Sequence, residues 1–504
     1  MTTNDDQSET ITFLGDPNTH GVDSVERIDT HSAIVFLAGD RVLKLKRAVK
    51  FPFLDFSTVE KRGECCRREV ALNCRTAPTL YRDAVPITRN GNGKLSLGGS
   101  GELVDWVVSM NRFAQSCLFD RIALNGGLSP EVMIALADAI AAFHRDADAK
   151  PSKGGAEAMR WVMDDNIEEM RAFPDILEPT AVSRLAKSSG QTLNGIADLL
   201  DRRRNGGFVR HCHGDLHLQN ICLLDDRPTL FDCIEFNDDI ACIDTLYDLT
   251  FLLMDLDHRG HRDRANLVLN RYLARTGDTN ALPALRFFLS CRAAVKAKVT
   301  AIAADGNESH IRDAQSFLQL ALDYLSPPSP RLIAIGGTPG TGKSTLAQGI
   351  APDIGVGCGA ILMRTDVLRK HMLGVDILER LPESAYDRKT TQRTYDRVVN
   401  ETEAALDAGL SVIADATFTD ARFRKRIEAI AQTRSIPFTG IWLDADFKLR
   451  EHRIAARTND PSDATVDLIR RFRDEPNIPK EWHRLEAGQP LDRLIRAAQD
   501  KILT

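Results

Sequence analysis

Two short stretches of the 504-residue chain carry side chains whose types and spacing suit phosphate chemistry. From Gly337 to Ser344 the sequence reads G-T-P-G-T-G-K-S, which fits G-x-x-x-x-G-K-[ST] at every position. Gly337, Gly340 and Gly342, with Thr338, Pro339 and Thr341 between them, allow backbone N–H groups to close around phosphate oxygens. Lys343 can reach the β- and γ-phosphates. Ser344 and Thr345 bring hydroxyls to nucleotide and Mg²⁺ at a helix N-terminus that favours anions. From His211 to Asn220 the chain reads H-C-H-G-D-L-H-L-Q-N. That stretch suits a metal site of nitrogen and sulfur, a phosphotransfer loop, or a crowded turn.

Zinc needs three or four ligands converging on one point, and His211, Cys212, His213 and His217 offer suitable atoms. Near-adjacent ligands point different ways, however, and no C-x-x-C or H-x-x-x-H elsewhere completes a recognised pattern. His213, Asp215 and Asn220 instead have the H-x-D-x-x-x-x-N spacing of a kinase catalytic loop, whose aspartate accepts a hydroxyl proton and whose asparagine binds Mg²⁺. A hairpin over 221–231, turning at D-D-R-P, would deliver Asp232 as the second metal ligand. Such a loop needs a lysine on an upstream strand and a helix glutamate to hold it. In R-V-L-K-L-K, Lys44 and Lys46 share one strand face. Lys44 is the expected phosphate lysine. Glu69 is the expected partner over Glu60 and Glu64, because it leaves Val70 and Leu72 for packing.

Around the second stretch, Asp366 in R-T-D follows the apolar run A-I-L-M and is expected at a strand end, able to orient or deprotonate an acceptor hydroxyl. Asp415, in A-D-A-T-F, ends another apolar run and could hold the Mg²⁺ shell or contact substrate. Arg450, Arg453 and Arg457 recur at helical spacing on one face, where they could close over phosphates; a solvated basic face is the plain alternative.

These residues need elements to hold them. The spacing predicts two strands within 31–46 joined at Ala38-Gly39-Asp40, and a helix from about Ser57 to Arg75 with Ser57 and Glu60 as a capping box. A strand is predicted over 103–108. A helix starts at Ser129-Pro130-Glu131, and the chain is mostly helical from there to about 325, interrupted over 209–233. Ser326-Pro327-Pro328-Ser329-Pro330 cannot continue a helix and marks a boundary. Beyond it, L-I-A-I is a buried parallel strand feeding the glycine loop.

With 43% hydrophobic and 27% charged residues the composition is that of a globular chain, and its length implies at least two domains. Ten scattered cysteines give neither a disulfide framework nor a zinc ribbon. No apolar run reaches the roughly 18 residues of a spanning helix, and the polar, acidic N-terminus is unlike a leader, so a cytoplasmic protein without membrane partners is expected. Lys and Arg number 27 against 25 Asp and Glu after residue 330, and 38 against 46 before it. Neither part has the basic excess of a dedicated nucleic-acid binder.

Residues of about 25–325 resemble the aminoglycoside phosphotransferase-like branch of the protein-kinase-like fold. The likeness lies in H-G-D-L-H-L-Q-N, F-D-C-I-E-F-N, D-T-L-Y-D-L and the helix L-A-D-A-I-A-A-F-H. One departure is that no G-x-G-x-x-G precedes Lys44. Residues of about 331–504 resemble the small P-loop kinases grouped with polynucleotide 5′-kinase, zeta toxins, gluconate kinase and chloramphenicol phosphotransferase, through G-T-P-G-T-G-K-S-T, R-T-D-V-L-R-K, D-A-T-F and R-T-N-D-P-S-D-A. In order, the blocks resemble a bacterial fusion of a phosphotransferase-like domain with a P-loop, AAA-type ATP-binding domain.

With the polar N-terminal residues 1–24 and the proline linker at 326–330 set aside, the resemblance implies a bilobal α+β kinase-like domain over 25–325 and an α/β P-loop NTPase over 331–504, its parallel sheet flanked by helices. It implies ATP and Mg²⁺, and phosphoryl transfer to hydroxyls of small acceptors. Asp215 and Asp366 would be the bases, Asn220, Asp232, Ser344 and Asp415 the metal ligands, and Arg453 and Arg457 lid residues. Two alternatives stand beside this: one domain is a nucleotide-binding regulator of the other, or the second is a toxin-like or nucleic-acid 5′-end kinase. The acceptors and the oligomeric state are left open.

Overall fold

The structure, a computed structural model, describes residues 6–51, 53–456, 460–466 and 480–503. The chain divides into two compact units, Met1–Ala158 with Asp201–Leu252, and Met159–Leu200 with Leu253–Thr504.

The first unit opens with three strands, β1 (Val25–Asp29), β2 (Ala33–Ala38) and β3 (Arg41–Lys46), and a short hairpin of β4 (Lys50–Phe51) and β5 (Leu54–Asp55). With β6 (Tyr81–Arg89), β7 (Leu95–Leu97) and β8 (Glu102–Asn111), the first three form an antiparallel sheet ordered β1-β2-β3-β8-β6-β7. Alternation along each strand sends side chains to two covered faces. Leu43, Leu45, Phe36 and Val107 pack with Leu14 of the helix Ser8–Gly15 on one face. Val42, Val108 and Met110 pack with Cys66 of the helix Val59–Asn73 on the other. Lys44 and Lys46 share a side with Val42, so both reach toward that helix.

Ala38 pairs with Arg41, so the β2–β3 turn is Gly39-Asp40, with Gly39 at φ +59°. The capping box expected at Ser57 does not form. The Ser57 hydroxyl donates to Asp55 at 2.5 Å, and Thr58 accepts from the Lys61 N–H instead, starting the helix one residue later. Farther on, the helix Pro130–Asp146 begins at the Ser129 cap as expected. β9 (Val209–His211) pairs with β12 (Cys242–Asp244), and β10 (Ile221–Leu224) with β11 (Arg227–Leu230). The β10–β11 turn is only Asp225-Asp226, at φ +48° and +59°; Arg227 and Pro228, expected in the turn, are already strand.

The second unit carries β13 (Leu332–Gly336), β14 (Ile361–Arg364), β15 (Val412–Asp415), β16 (Phe438–Asp444) and β17 (His483–Glu486) in a parallel sheet ordered β14-β15-β13-β16-β17. Ile333, Ile335, Ile413 and Leu443 meet Leu346 and Ile350 of the helix Lys343–Ile350 and Leu494 of the helix Leu491–Leu503. The edge of β14 is covered by side-chain amides. Asn270, on the helix Arg262–Thr276, accepts from the Leu362 N–H at 2.8 Å and donates to the Ala360 carbonyl at 3.2 Å. Asn266 donates to the Cys358 and Ala360 carbonyls. These amides occupy part of the edge that would otherwise be open to another strand. Among the described residues, no helix is long and apolar enough to cross a membrane.

Candidate active sites

In the first unit, β3 and the helix Val59–Asn73 bring the expected lysine and glutamate together: Lys44 Nζ lies 2.9 Å from Glu69 Oε1. The same nitrogen lies 2.5 Å from Asp232 Oδ1. Burial opposes the charge on Lys44, but Asp232 and Glu69 outweigh it and hold the ammonium well above its ordinary range. Burial likewise works against the Glu69 carboxylate, yet Lys44 and Lys46 bring it down to about 2.

The histidine-rich loop does not gather its ligands. His213 donates from Nε2 to the Phe231 carbonyl at 2.9 Å and accepts the Asp215 N–H at Nδ1 at 3.3 Å. Burial pushes this imidazole down and keeps it neutral, with Asp248 and Asp215 opposing. His217 turns Nε2 toward Asp215 Oδ2 at 3.3 Å, and the Cys212 thiol faces the Ile243 carbonyl. His211 lies near Asp238 and Cys242, apart from the other three. Asn220 gives its amide nitrogen to both the carbonyl and a carboxylate oxygen of Asp215, at 2.9 Å each, which leaves its amide oxygen for a ligand. The Phe231 N–H donates to the Asn220 carbonyl at 3.0 Å, tying the Asn220 end of the loop to the residue before Asp232. Asp215, Asn220 and Asp232 thus offer hard oxygen donors, a set that suits Mg²⁺.

Two residues outside the expected set brace this loop. Asp248, fully buried, accepts the His213 and Gly214 N–H groups at 3.1 and 2.8 Å, and its carboxylate also meets His144 Nε2 at 3.0 Å. Both lie inside stretches that carry the family resemblance, D-T-L-Y-D-L and L-A-D-A-I-A-A-F-H. That resemblance was the signal, because nothing in local spacing links them to residue 213.

In the second unit the glycine loop joins β13 to the helix Lys343–Ile350. Gly337 sits at φ +145°, and a Cβ there would stand 2.5 Å from the Leu443 carbonyl oxygen, so only glycine fits. Thr338 accepts from Arg450 at 3.0 Å, and Thr341 donates to the Thr338 carbonyl at 2.9 Å. Lys343 Nζ lies 3.1 Å from that same carbonyl. Ser344 donates to Asp415 Oδ2 at 2.5 Å, pairing a hydroxyl with a carboxylate as a hard cation requires. Thr345 is exposed, outside the residues lining the cleft.

That cleft, of about 780 Å³, is lined by Pro339, Gly340, Gly342, Lys343, Ser344, Asp366 and Asp415 among others. Asp366 lies in the first turn of the helix Thr365–Leu373, directly after β14. Burial raises its carboxyl above the ordinary range, with Arg364 opposing and Asp415 adding to the rise. Arg453 donates to the Thr341 and Ala487 carbonyls at 2.8 Å each, so it and Arg450 hold the loop from the helix Phe447–Ala455. Arg457 lies outside the described residues. Sequence reasoning missed Arg364, which donates to Ser344 at 3.1 Å, and Lys370, paired with Asp463 at 3.1 Å. Arg364 also lies 3.5 Å from Asp460, so Arg364 and Lys370 together dock R-T-D-V-L-R-K onto D-P-S-D-A.

Residues 120–288 match a family described as phosphotransferase enzyme family, and residues 332–476 match one described as AAA domain. Uncharacterized protein Rv2004c of Mycobacterium tuberculosis is 31% identical over 484 residues, spanning 93% of this chain and 94% of its own. A cytidylate kinase of Halorubrum lacusprofundi is 27% identical over 161 residues, spanning 31% of this chain and 74% of its own. Among solved structures, a choline/ethanolamine kinase family protein of Mesorhizobium loti covers 64% of this chain and 97% of its own, at 13% identity and a TM-score of 0.40.

Proposed function

The chain belongs to the family of that mycobacterial protein, joining a kinase-like phosphotransferase domain to a P-loop, kinase-like domain, and from this premise we propose an ATP- and Mg²⁺-dependent phosphotransferase with two nucleotide sites. Each site transfers the γ-phosphoryl group to a hydroxyl of a small acceptor. The observation that carries the reading is that each unit brings a lysine together with oxygen donors from other elements, Lys44 in contact with Asp232 and Lys343 lining one cleft with the Ser344–Asp415 pair.

When bound, Mg²⁺ supplies charge neutralisation of the phosphates. In the first unit Asp215 takes the acceptor proton on a carboxylate oxygen, Asn220 holds that carboxylate and offers its own amide oxygen to the metal, and Asp232 supplies a second metal oxygen. Lys44, kept charged by Glu69, orients phosphate. In the second unit the loop N–H groups and Lys343 hold phosphate, Ser344 and Asp415 hold the metal, and Asp366 orients the acceptor or accepts its proton. Burial raises its carboxyl above the ordinary range, which makes it a stronger proton acceptor than a solvent-exposed aspartate.

The test is transfer of labelled phosphate from ATP into a cytoplasmic metabolite extract, comparing wild type with Asp215→Ala and Lys343→Ala. Two distinct products, each lost in one variant, are expected. Turnover unchanged by Asp215→Ala would instead make the first domain a regulator, and label in nucleic-acid ends that falls steeply with salt would make the second a 5′-end kinase.

A further inference from the structure

We propose that Lys46 and Glu235 are a positioning pair that fixes the N-terminal nucleotide site from behind, by holding Glu69 and the Asp232 segment in register with β3. The proposal rests on the reading of Lys44 as the phosphate lysine and Asp232 as a metal ligand.

The geometry is a ladder. Lys44 and Lys46, two residues apart on one strand face, stand opposite Asp232 and Glu235, three residues apart on the segment after β11. The first rung is Lys44–Asp232 at 2.5 Å, and the second is the close Lys46–Glu235 pair. Glu69 joins the two lysines, one carboxylate oxygen to each, at 2.9 Å from Lys44 and 2.6 Å from Lys46. The rungs differ in exposure. In the first, Lys44 and Asp232 are 17% and 40% exposed, open to a ligand; in the second, Lys46 and Glu235 are 2% and 5% exposed and closed to one. Lys46 Nζ also lies over the buried Phe56 ring, 4.9 Å from its centroid.

A sealed ion pair of this kind contributes little net stability compared with apolar residues of the same volume, so its role is better sought in geometry. Two features need that geometry. Glu69 would be free to rotate if only Lys44 held it, whereas Lys46 fixes its second oxygen. Asp232 is a non-glycine residue at φ +60°, a conformation that persists only when its surroundings impose it. The segment is restrained by the Asp232 N–H on Tyr81, the Cys233 N–H on Asn73, the Ile234 N–H on the His213 carbonyl, the Asp232 carboxylate on Lys44 and the Glu235 carboxylate on Lys46. Neither Lys46 nor Glu235 reaches the open side of the site, so neither is a catalytic residue.

The experiment uses the full chain with Lys343→Ala to silence the second site, and measures ATP binding by calorimetry with and without Mg²⁺. Glu235→Gln is expected to weaken binding about tenfold with Mg²⁺, the scale of a charged hydrogen bond, and much less without it, because the group it displaces is the metal ligand; Lys46→Arg, which also loosens Glu69 and through it Lys44, is expected to weaken binding about tenfold under both conditions. Lys44→Met should lose binding under both conditions. A purely structural role would lower the melting temperature of the nucleotide-free protein and leave both affinities within about twofold of the parent, and that result would overturn the proposal. If Lys44→Met itself leaves binding intact, the nucleotide-site reading falls and this inference with it. Melting of each nucleotide-free variant separates misfolding from lost affinity.

Discussion

The two proposed phosphate sites are built by opposite routes. In the second unit the cradle is local: six consecutive residues, Gly337–Gly342, make the loop, and Lys343 and Ser344 follow it into the helix it feeds. In the first unit the site is assembled over distance, with Lys44 meeting residues 25 and 188 positions away. A local site depends on backbone conformation, so its sensitive positions are glycines and the first helical turn. A dispersed site depends on ion pairs and braces, so its sensitive positions include residues that never touch a ligand.

The largest expected effect tests the two ends directly. Lys343→Ala and Asp215→Ala should each lower transfer at their own site by roughly 10²–10⁴-fold, the range for removing a charge-stabilising group or a general base, and leave the other site's product intact. Initial rates of labelled-product formation measure both. If either substitution abolishes both products, the sites do not act independently and the comparison breaks.

Next in size is the remote brace. Asp248→Ala strips the His213 and Gly214 N–H groups of their acceptor and removes the buried partner of His144. Breaking such a buried arrangement from one side should cost about 3–5 kcal/mol, read as a shift in the urea midpoint with the slope unchanged. Arg450→Ala, which removes the hydrogen bond to Thr338 of the local loop, should cost only about 1–2 kcal/mol. Equal costs would mean that the glycine loop is held from outside as strongly as the histidine-rich loop.

The covered edge of β14 gives a third test. Asn270→Ala leaves the Leu362 N–H without its acceptor at a half-buried position, at a cost of about 1–3 kcal/mol. Hydrogen exchange at Leu362 should accelerate by the corresponding factor, while exchange in β3 stays unchanged. Acceleration confined to the first unit would contradict the assignment of the helix Arg262–Thr276 to the second.

The same contrast explains what could be read from the sequence. The glycine loop, its strand and its helix were legible together because a single local pattern carries all three. Lys44 and Glu69 were legible from the two-residue period of β3 and the packing needs of the following helix. Glu235 was not, since its partner lies 189 residues away and nothing local marks a buried carboxylate. Nor was the role of Asn270, because the prolines at 327–330 read as a boundary and cannot reveal that the helices before them pack with the sheet beyond. The helix start slipped by one residue for a local reason. Ser57 and Thr58 can both cap a helix, and Asp55 decides between them by taking the Ser57 hydroxyl.

The smallest effect tests the legibility of the hairpin that leads to Asp232. Its turn holds two consecutive non-glycine residues, Asp225 and Asp226, at φ +48° and +59°. Two-residue hairpins with both central residues in this region favour Asn-Gly or Asp-Gly, because the second position bears the steric cost of a Cβ there. Asp226→Gly keeps the favoured first residue and relieves that cost, against some loss from a more flexible unfolded chain. The net gain should be a few tenths to about 1 kcal/mol, seen as slower exchange of the β10 and β11 amides. Because Phe231 and Asp232 follow directly from β11, a firmer hairpin should also hold Asp232 more rigidly without altering any of its partners. Slower exchange in the hairpin with unchanged Mg²⁺-dependent nucleotide affinity would locate control of Asp232 in its long-range ion pairs, whereas tighter affinity would show that this site, too, is governed in part by a local turn.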